Sequence, residues 1–141
     1  MFFTPPIQRK FLLVLTLFGL ALCAPLPGLA SGVALHTETG KASWYGPRFH
    51  GQRTASGQRF DRNALVAAHP RLPLGSLARI TNLDNGRSVE VAIIDRGPAR
   101  SAQRRGVIID LSQGAARQLD YLRQGKAPVR VEVLRWGESA S

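Results

Sequence analysis

The stretch Ser88-Val89-Glu90-Val91-Ala92-Ile93-Ile94-Asp95-Arg96-Gly97-Pro98 decides the fold of this chain. Its first part is an apolar, β-branched run, which predicts a strand that enters a core. Gly97 and Pro98 then end the strand in a tight turn. Asp95 is therefore placed at the rim between an apolar wall and solvent, where a carboxyl group can serve as a general acid. The alternative is an aspartate that only closes the turn by bonding its own backbone.

The first thirty residues have the pattern of a secretory signal peptide. A basic pair, Arg9 and Lys10, precedes the apolar run 11–22, which is shorter than the roughly 20 apolar residues that a membrane span needs. Gly28 and Ala30 are small residues at the two positions that a signal peptidase reads. We therefore expect cleavage after Ala30, no stable membrane insertion of the mature chain, and a periplasmic or secreted protein.

Cys23 leaves a second route open. The segment Leu20-Ala21-Leu22-Cys23 resembles a lipobox, and lipidation at this cysteine would give an outer-membrane lipoprotein. However, Leu22 stands where a small residue is normally required, so we favour cleavage after Ala30. Cys23 is the only cysteine of the 141 residues, so no internal disulfide can form and stability must come from packing.

The charge of the mature chain points to an acidic partner. Two of the 19 lysines and arginines lie in the signal segment, so 17 basic residues face nine acidic ones and leave a net charge of about +8. Export favours an anionic polymer outside the membrane, such as the cell wall, although the charge could also serve solubility alone. A nucleic-acid-binding barrel would need exposed aromatic residues as well as charge, and the mature chain has few, so we expect no nucleic-acid partner.

Downstream of a predicted linker at 31–39, the pattern is that of a β protein. Asp84-Asn85-Gly86 is a strong hairpin signal, and Ser112 can cap a helix that Gly125 ends. Six short strands, one helix and no repeat predict a small barrel with little free edge over 40–135, followed by a tail at 136–141. The predicted strands are 41–45, 64–68, 77–83, 88–95, 107–111 and 129–134, and the predicted helix is 112–122.

Nine short motifs follow one another along the chain. They are Gly40-Lys41-Ala42-Ser43-Trp44-Tyr45-Gly46, Phe49-His50-Gly51, Thr54-Ala55-Ser56-Gly57, Ala67-Ala68-His69, Leu72-Pro73-Leu74-Gly75, Thr81-Asn82-Leu83, Asn85-Gly86, Asp95-Arg96-Gly97-Pro98 and Ile109-Asp110-Leu111-Ser112. Together, in this order, they closely resemble the double-psi β-barrel of the rare lipoprotein A (RlpA) family, which shares its barrel with expansins and barwin-like proteins. The resemblance covers about Gly40 to Leu134.

The resemblance implies a lytic transglycosylase that cleaves peptidoglycan strands to 1,6-anhydro products without a metal or cofactor. By position, Asp95 matches the catalytic aspartate of the family. The partner carboxyl group of the family is a glutamate, and Gln58 stands there in this chain. Three interpretations stay open: Asp95 acts alone, Asp61 or Asp110 supplies the second carboxyl group, or the domain binds glycan without cutting it, as a wall-loosening protein would.

The remaining candidate site residues are predicted to position or bind. His69, which matches the retained histidine of the family, is expected to orient Asp95 through a hydrogen bond, unless it is only a core histidine at a strand end. Tyr45 is expected to stack on a sugar face, and Thr54 and Ser56 to bond sugar hydroxyls. Arg96 is expected to pair with the substrate or with Asp95. No cluster has metal-ligand spacing, and we expect a monomer.

Overall fold

The computed structural model describes residues 33–138, which form six strands arranged as a closed barrel. The predicted signal peptide lies outside these residues. No helix within them is long and apolar enough to cross a membrane. The elements in chain order are β1 (His36–Trp44), a 3-10 turn (Pro47–Phe49), β2 (Val66–Ala68), β3 (Leu77–Asn82), β4 (Ser88–Asp95), α1 (Arg100–Gln103), β5 (Val107–Leu111), α2 (Gln113–Gln118) and β6 (Ala127–Arg135).

The barrel closes in the order β1-β5-β2-β4-β3-β6, with two parallel and four antiparallel pairings. The short strand β2 lies between β4, to which it is parallel, and β5, to which it is antiparallel. The predicted barrel of six strands is therefore confirmed. Its mixed pairing brings strands that are distant in sequence to the two sides of β2.

Alternation along each strand fills the barrel. In β6 the inward residues Val129, Val131 and Val133 are fully buried, and the residues between them are partly exposed. β4 follows the same rule until Ile93 and Ile94, both of which are buried directly before Asp95. The apolar run of the opening stretch is thus a strand that carries its final carboxylate out of the core, as predicted.

The linker predicted at 31–39 is wrong at its C-terminal end, because β1 already begins at His36. Residues 36–39 are mostly exposed and polar, so their own sequence carries no apolar alternation. They become strand because they pair with β6, with His36 opposite Val133 and Thr39 opposite Arg130. A partner strand supplies the ladder of hydrogen bonds that the local sequence does not signal.

The helical content also differs from the prediction of one helix over 112–122. The structure adds the single turn α1 and ends α2 at Gln118, four residues early. Ser112 caps α2 as predicted, accepting a hydrogen bond from Ala115 N at 3.2 Å. Tyr121 leaves the helical path because its ring is buried and its hydroxyl donates to the Ser43 carbonyl oxygen at 2.9 Å.

The β3–β4 hairpin forms at the predicted place but without a tight primed turn. Asn82 N bonds Arg87 O at 2.8 Å and Gly86 N bonds Asn82 O at 2.8 Å, so four residues form the loop. The amide groups of Asn82 and Asn85 both donate to the Leu119 carbonyl oxygen, at 2.9 and 3.0 Å. These two side chains tie the loop to the end of α2, a tertiary contact that overrides the two-residue turn signal.

Candidate active site

Asp95 ends β4 with its carboxylate hydrogen-bonded to three separate donors. Oδ1 accepts from Ala55 N at 2.9 Å and from Arg96 N at 2.8 Å, and Oδ2 accepts from the Tyr45 hydroxyl at 3.0 Å. The donors come from the residue after β4, from the residue after β1 and from the 51–60 loop. Asp95 is therefore fixed in direction by three parts of the chain, more than the closing of a turn requires.

The 51–60 loop lies across the end of β4. Besides the Ala55 contact, Ser56 N donates to Ile94 O at 3.0 Å. The loop is closed internally, since Thr54 N and Thr54 Oγ1 bond Gln58 O at 2.8 and 2.9 Å, and the hydroxyls of Thr54 and Ser56 lie 3.0 Å apart. Its polar side chains thus shape the loop that holds Asp95.

Asp110 is a second carboxyl group on the opposite side of β2. In the ladder, Ala68 is opposite Asp95 on one side and opposite Asp110 on the other. Asp110 Oδ1 accepts a hydrogen bond from the Ser43 hydroxyl. Burial raises the pKa of Asp110 above its ordinary value, and the Ser43 bond opposes this shift in part. The two aspartates therefore differ in environment while sharing one neighbour.

Gly97 leaves open the space between the two aspartates. A Cβ at this position would lie 3.4 Å from Asp110 Oδ2, 3.4 Å from Ala68 Cβ and 3.8 Å from the Tyr45 hydroxyl. Its φ of 153° also lies in a region that side chains rarely adopt. Glycine here keeps Asp110 and the Tyr45–Asp95 pair facing a common opening.

That opening is a cavity of about 890 Å³. Asp95 and Asp110 both line it, together with Ser43 and Tyr45. Further residues of its wall include three arginines, Arg71, Arg96 and Arg100. A volume of this size suits a small-molecule or oligomer subsite, and its wall combines carboxyl groups with cationic ones.

Tyr45 is a fixed hydrogen-bond donor in this wall. Burial, followed by the negative charges of Asp95 and Asp110 and the hydrogen bond to Asp95, raises the pKa of Tyr45 far above its ordinary value. The phenol therefore keeps its proton and donates to Asp95. The ring packs against Phe49 and Phe60 at centroid distances of 5.2 and 4.7 Å. Tyr45 lines the cavity, as a sugar platform must, and positioning Asp95 is a further role that sequence reasoning missed.

The hydrogen bond predicted between the His69 side chain and Asp95 is wrong. The buried ring bonds Glu38 through Nε2, and its Nδ1 accepts from Arg71 N at 3.1 Å and from Leu72 N at 3.0 Å. Both ring nitrogens are therefore occupied, with the ring proton on Nε2. Desolvation lowers the pKa of His69, although Glu38 opposes this shift. The ring stays neutral near pH 7.

The backbone of His69, by contrast, does reach the site. Its N–H donates to the Asp95 carbonyl oxygen at 3.1 Å, and its carbonyl oxygen accepts from Arg96 Nη1 at 3.1 Å. Arg96 Nη1 also donates to Leu72 O at 2.7 Å. Arg96 thus uses one guanidinium nitrogen to donate two hydrogen bonds to the turn after β2. Among the described residues it forms no ion pair with Asp95. The rest of its exposed guanidinium faces the cavity.

The other predicted residues lie near the site but outside the cavity wall. Gln58, Thr54 and Ser56 belong to the loop on Asp95, and the Gln58 side chain is exposed. Asp61 is also exposed, and its Oδ1 accepts from Asn63 N at 2.9 Å. Of the two stand-ins considered for the second carboxyl group, only Asp110 lines the cavity with Asp95. Its signal in the sequence is an aspartate inside the apolar run Val107-Ile108-Ile109-Asp110-Leu111.

No group of three or more His, Cys, Asp or Glu residues within 33–138 has the arrangement of a metal site. The cavity wall carries two carboxyl groups, one phenol and three guanidinium groups. Such a set can move protons and bind anions.

Sequence comparison relates this chain to one family model and to several curated proteins. Residues 37–131 match the family model described as "Lytic transglycolase". Proteins named "Endolytic peptidoglycan transglycosylase RlpA" are 50% identical over 105 residues in Campylobacter jejuni and 49% identical over 108 residues in Neisseria meningitidis. These alignments cover 74% and 77% of this chain but 37% and 44% of the relatives. The chain thus spans less than half the length of either relative.

Solved structures support the fold. The Streptomyces papain inhibitor matches with a TM-score of 0.56 at 23% identity, covering 72% of this chain and 97% of that one. An expansin of Clavibacter michiganensis matches with a TM-score of 0.54 at 19% identity, covering 75% and 54%. At these identities the likeness concerns the fold alone, and it confirms the predicted barrel. This chain is a member of the lytic transglycolase family with the RlpA-type double-psi β-barrel.

Proposed function

We propose that this protein cleaves the glycan strands of peptidoglycan by endolytic transglycosylation. The observation that carries the proposal is the pair of aspartates in one cavity on either side of Ala68, one bonded by three donors and the other with a pKa that burial raises. Two carboxyl groups that flank a glycosidic bond are the usual machinery for cleaving it. The names of the relatives and the family match agree with this chemistry.

In the proposed reaction, Asp110 is the acid. Burial raises its pKa, so it retains a proton more readily than an exposed aspartate does. That proton passes to the glycosidic oxygen as the bond from this oxygen to the anomeric carbon breaks. One fragment leaves with a free hydroxyl group.

Asp95 is the base of the second step. Its two oxygens are arranged to accept hydrogen bonds, which suits the removal of a proton from the 6-hydroxyl of the same sugar. The 6-oxygen then attacks the anomeric carbon and closes a 1,6-anhydro ring. No water is consumed, and the proton lost by the acid is balanced by the proton gained by the base.

The arginines of the wall would bind the substrate. Arg71, Arg96 and Arg100 line the cavity, and guanidinium groups pair with the carboxylates that peptidoglycan carries on its muramic acid or its peptides.

We place the activity in the periplasm, with residues 1–30 as a signal peptide. The Gly28-Leu29-Ala30 segment supports cleavage before Ser31. Sequencing the N-terminus of the exported protein tests this. A diacylglycerol-modified Cys23 would contradict it and make the protein a lipoprotein.

The decisive experiment is mass analysis of the products released from purified peptidoglycan, both intact and stripped of its peptides. We expect 1,6-anhydro products with the wild-type protein and none with Asp95→Asn, because the amide keeps the shape but cannot accept the proton. Proton transfer is commonly worth about 10²–10⁴ in rate. Asp95→Asn should retain its melting temperature and its binding to the cell wall.

Two results would contradict the proposal. Release of reducing ends in place of anhydro ends would indicate hydrolysis. Wall binding without any product from either substrate would make the domain a glycan-binding, expansin-like barrel.

A further inference from the structure

A second, smaller cavity of about 220 Å³ lies beside the turn after β2. It is lined by Trp136 and His36 from the ends of β6 and β1, and by Glu38, Arg71 and Pro73. His69 also lines it, whereas none of the four donors to the two carboxylates does. Trp136 is 44% exposed, so part of its indole is accessible from this cavity.

Trp136 is exposed but firmly anchored. It directly follows β6, which ends at Arg135, and the next residue, Gly137, donates its N–H to Ser76 Oγ at 2.9 Å. A Cβ at Gly137 would overlap the Leu74 carbonyl oxygen, so the backbone here packs directly against the 74–76 turn. The predicted tail at 136–141 therefore begins with two residues that belong to the barrel. A fixed indole loses little conformational entropy on binding, as a binding platform requires.

Polar groups surround the indole. The His36 ring is tilted against it with centroids 6.3 Å apart. Arg71 Nη2 lies 3.8 Å from Glu38 Oε2, and the Arg71 side chain is 75% exposed. An aromatic face bordered by an imidazole, a carboxylate and a guanidinium matches a sugar, whose ring presents C–H groups on its faces and hydroxyl groups at its edge.

Arg71 connects this cavity to the site. It lines the 890 Å³ cavity, the 220 Å³ cavity and a small one of about 130 Å³ that also includes His69 and Pro70. A chain molecule bound over Asp95 can therefore continue past Arg71 to Trp136 along neighbouring openings.

We propose that Trp136, with His36 and Arg71, forms an accessory subsite for a further sugar of the glycan strand bound at Asp95. The inference rests on the proposed function for the identity of the strand. Trp136 stacks on the sugar ring, and the polar border bonds its hydroxyl groups. The subsite makes affinity depend on strand length, since only a strand that extends past Arg71 reaches the indole.

The test measures glycan binding in the Asp95→Asn background, so that no cleavage intervenes. Peptide-free glycan oligomers of increasing length are titrated against this protein and against its Trp136→Ala derivative. We expect the dissociation constant for long oligomers to rise about 2- to 10-fold with Trp136→Ala, as the loss of an aromatic contact predicts. The constant for the shortest oligomer that binds should not change, and Trp136→Phe should restore most of the affinity for long ones.

Leu83→Ala is the matched control, because Leu83 is also 44% exposed and lines neither cavity. It should leave binding at every length unchanged. In NMR spectra, the Trp136 indole N–H signal should shift with long oligomers and stay in place with short ones.

Three results overturn the proposal. One is an unchanged affinity of Trp136→Ala for every length, and another is an equal loss at every length. The third is a Trp136 signal that does not respond to glycan. If that signal shifts with protein concentration, the indole contacts a second copy of the chain. If it shifts on removal of residues 1–30, the indole contacts the N-terminal segment. If wild-type protein binds long oligomers through Trp136 yet releases no anhydro product, the subsite stands and the proposed activity fails.

Discussion

Asp95 and Asp110 occupy equivalent places on the two sides of Ala68, yet their surroundings differ. Asp95 accepts hydrogen bonds from two backbone N–H groups and the Tyr45 phenol. Asp110 accepts one, from Ser43, and burial raises its pKa. The same residue type on the two strands that flank β2 thus has two different surroundings, which in the proposed mechanism suit opposite proton transfers. The elements packed around each carboxyl group make the difference, rather than the strand that carries it.

Among the substitutions that test the difference between the two aspartates, Asp110→Asn should have the largest effect. Asparagine cannot protonate the glycosidic oxygen, so the rate of anhydro-product release should fall by about 10²–10⁴. In the wild type, the acid must be protonated, so the rate should decline as the pH rises through the raised pKa of Asp110. A pH–rate profile of product release measures both effects. An Asp110→Asn variant with wild-type rates would leave Asp95 as a carboxyl group that acts alone.

Tyr45→Phe tests the surroundings of the other aspartate, Asp95. The change removes the donor to Asp95 Oδ2 and keeps the ring between Phe49 and Phe60. A hydrogen bond to a charged group is worth about 1.5 kcal/mol, which corresponds to a roughly tenfold lower kcat. Kinetics on one defined glycan strand, with a melting curve as the fold control, test this. Unchanged kcat would show that the two backbone donors suffice to hold Asp95.

Asp110→Asn should also raise the stability of the folded state, although it lowers the rate of product release. Because folding raises the pKa of Asp110, the folded state binds this proton more tightly than the unfolded state does. Wild-type stability therefore falls as the pH rises from the ordinary aspartate value to the raised one, and Asp110→Asn escapes this loss. Its melting temperature should exceed that of the wild type at pH 7. The difference should disappear as the pH falls below the ordinary aspartate value, where the wild-type group is protonated in both the folded and the unfolded state. A lower melting temperature of the variant at pH 7 would show that burial of the charge does not cost stability.

The smallest effect is expected for Gln58→Glu. Gln58 stands at the position of the family's glutamate, but its side chain is exposed and lies outside the cavity wall. If Asp110 supplies the second carboxyl group, this change should alter the rate of product release by less than about threefold, which corresponds to under 0.7 kcal/mol. A large gain in rate would instead indicate that position 58 is the place of the second catalytic carboxyl group.

The sequence alone determined the barrel and the place of Asp95 in the site. Apolar alternation, the turn residues and the motif order predicted six strands and the aspartate at the end of β4. These signals are local, since each depends on residues within one strand or turn. The start of β1 at His36 escaped prediction because pairing with β6 decides it, and the end of α2 escaped because Tyr121 is drawn into a long-range contact with Ser43.

Only the tertiary structure decided which polar side chains meet. His69 and Asp95 both follow apolar runs at strand ends in the sequence, but the imidazole turns to Glu38, a residue in the segment expected to be a linker. Asp110 joins Asp95 because β2 pairs with both β4 and β5, and Trp136 becomes part of the barrel because Gly137 packs on the 74–76 turn. Side-chain partners depend on the register and closure of the barrel. These are set by the sum of many contacts, and no short stretch of sequence encodes them.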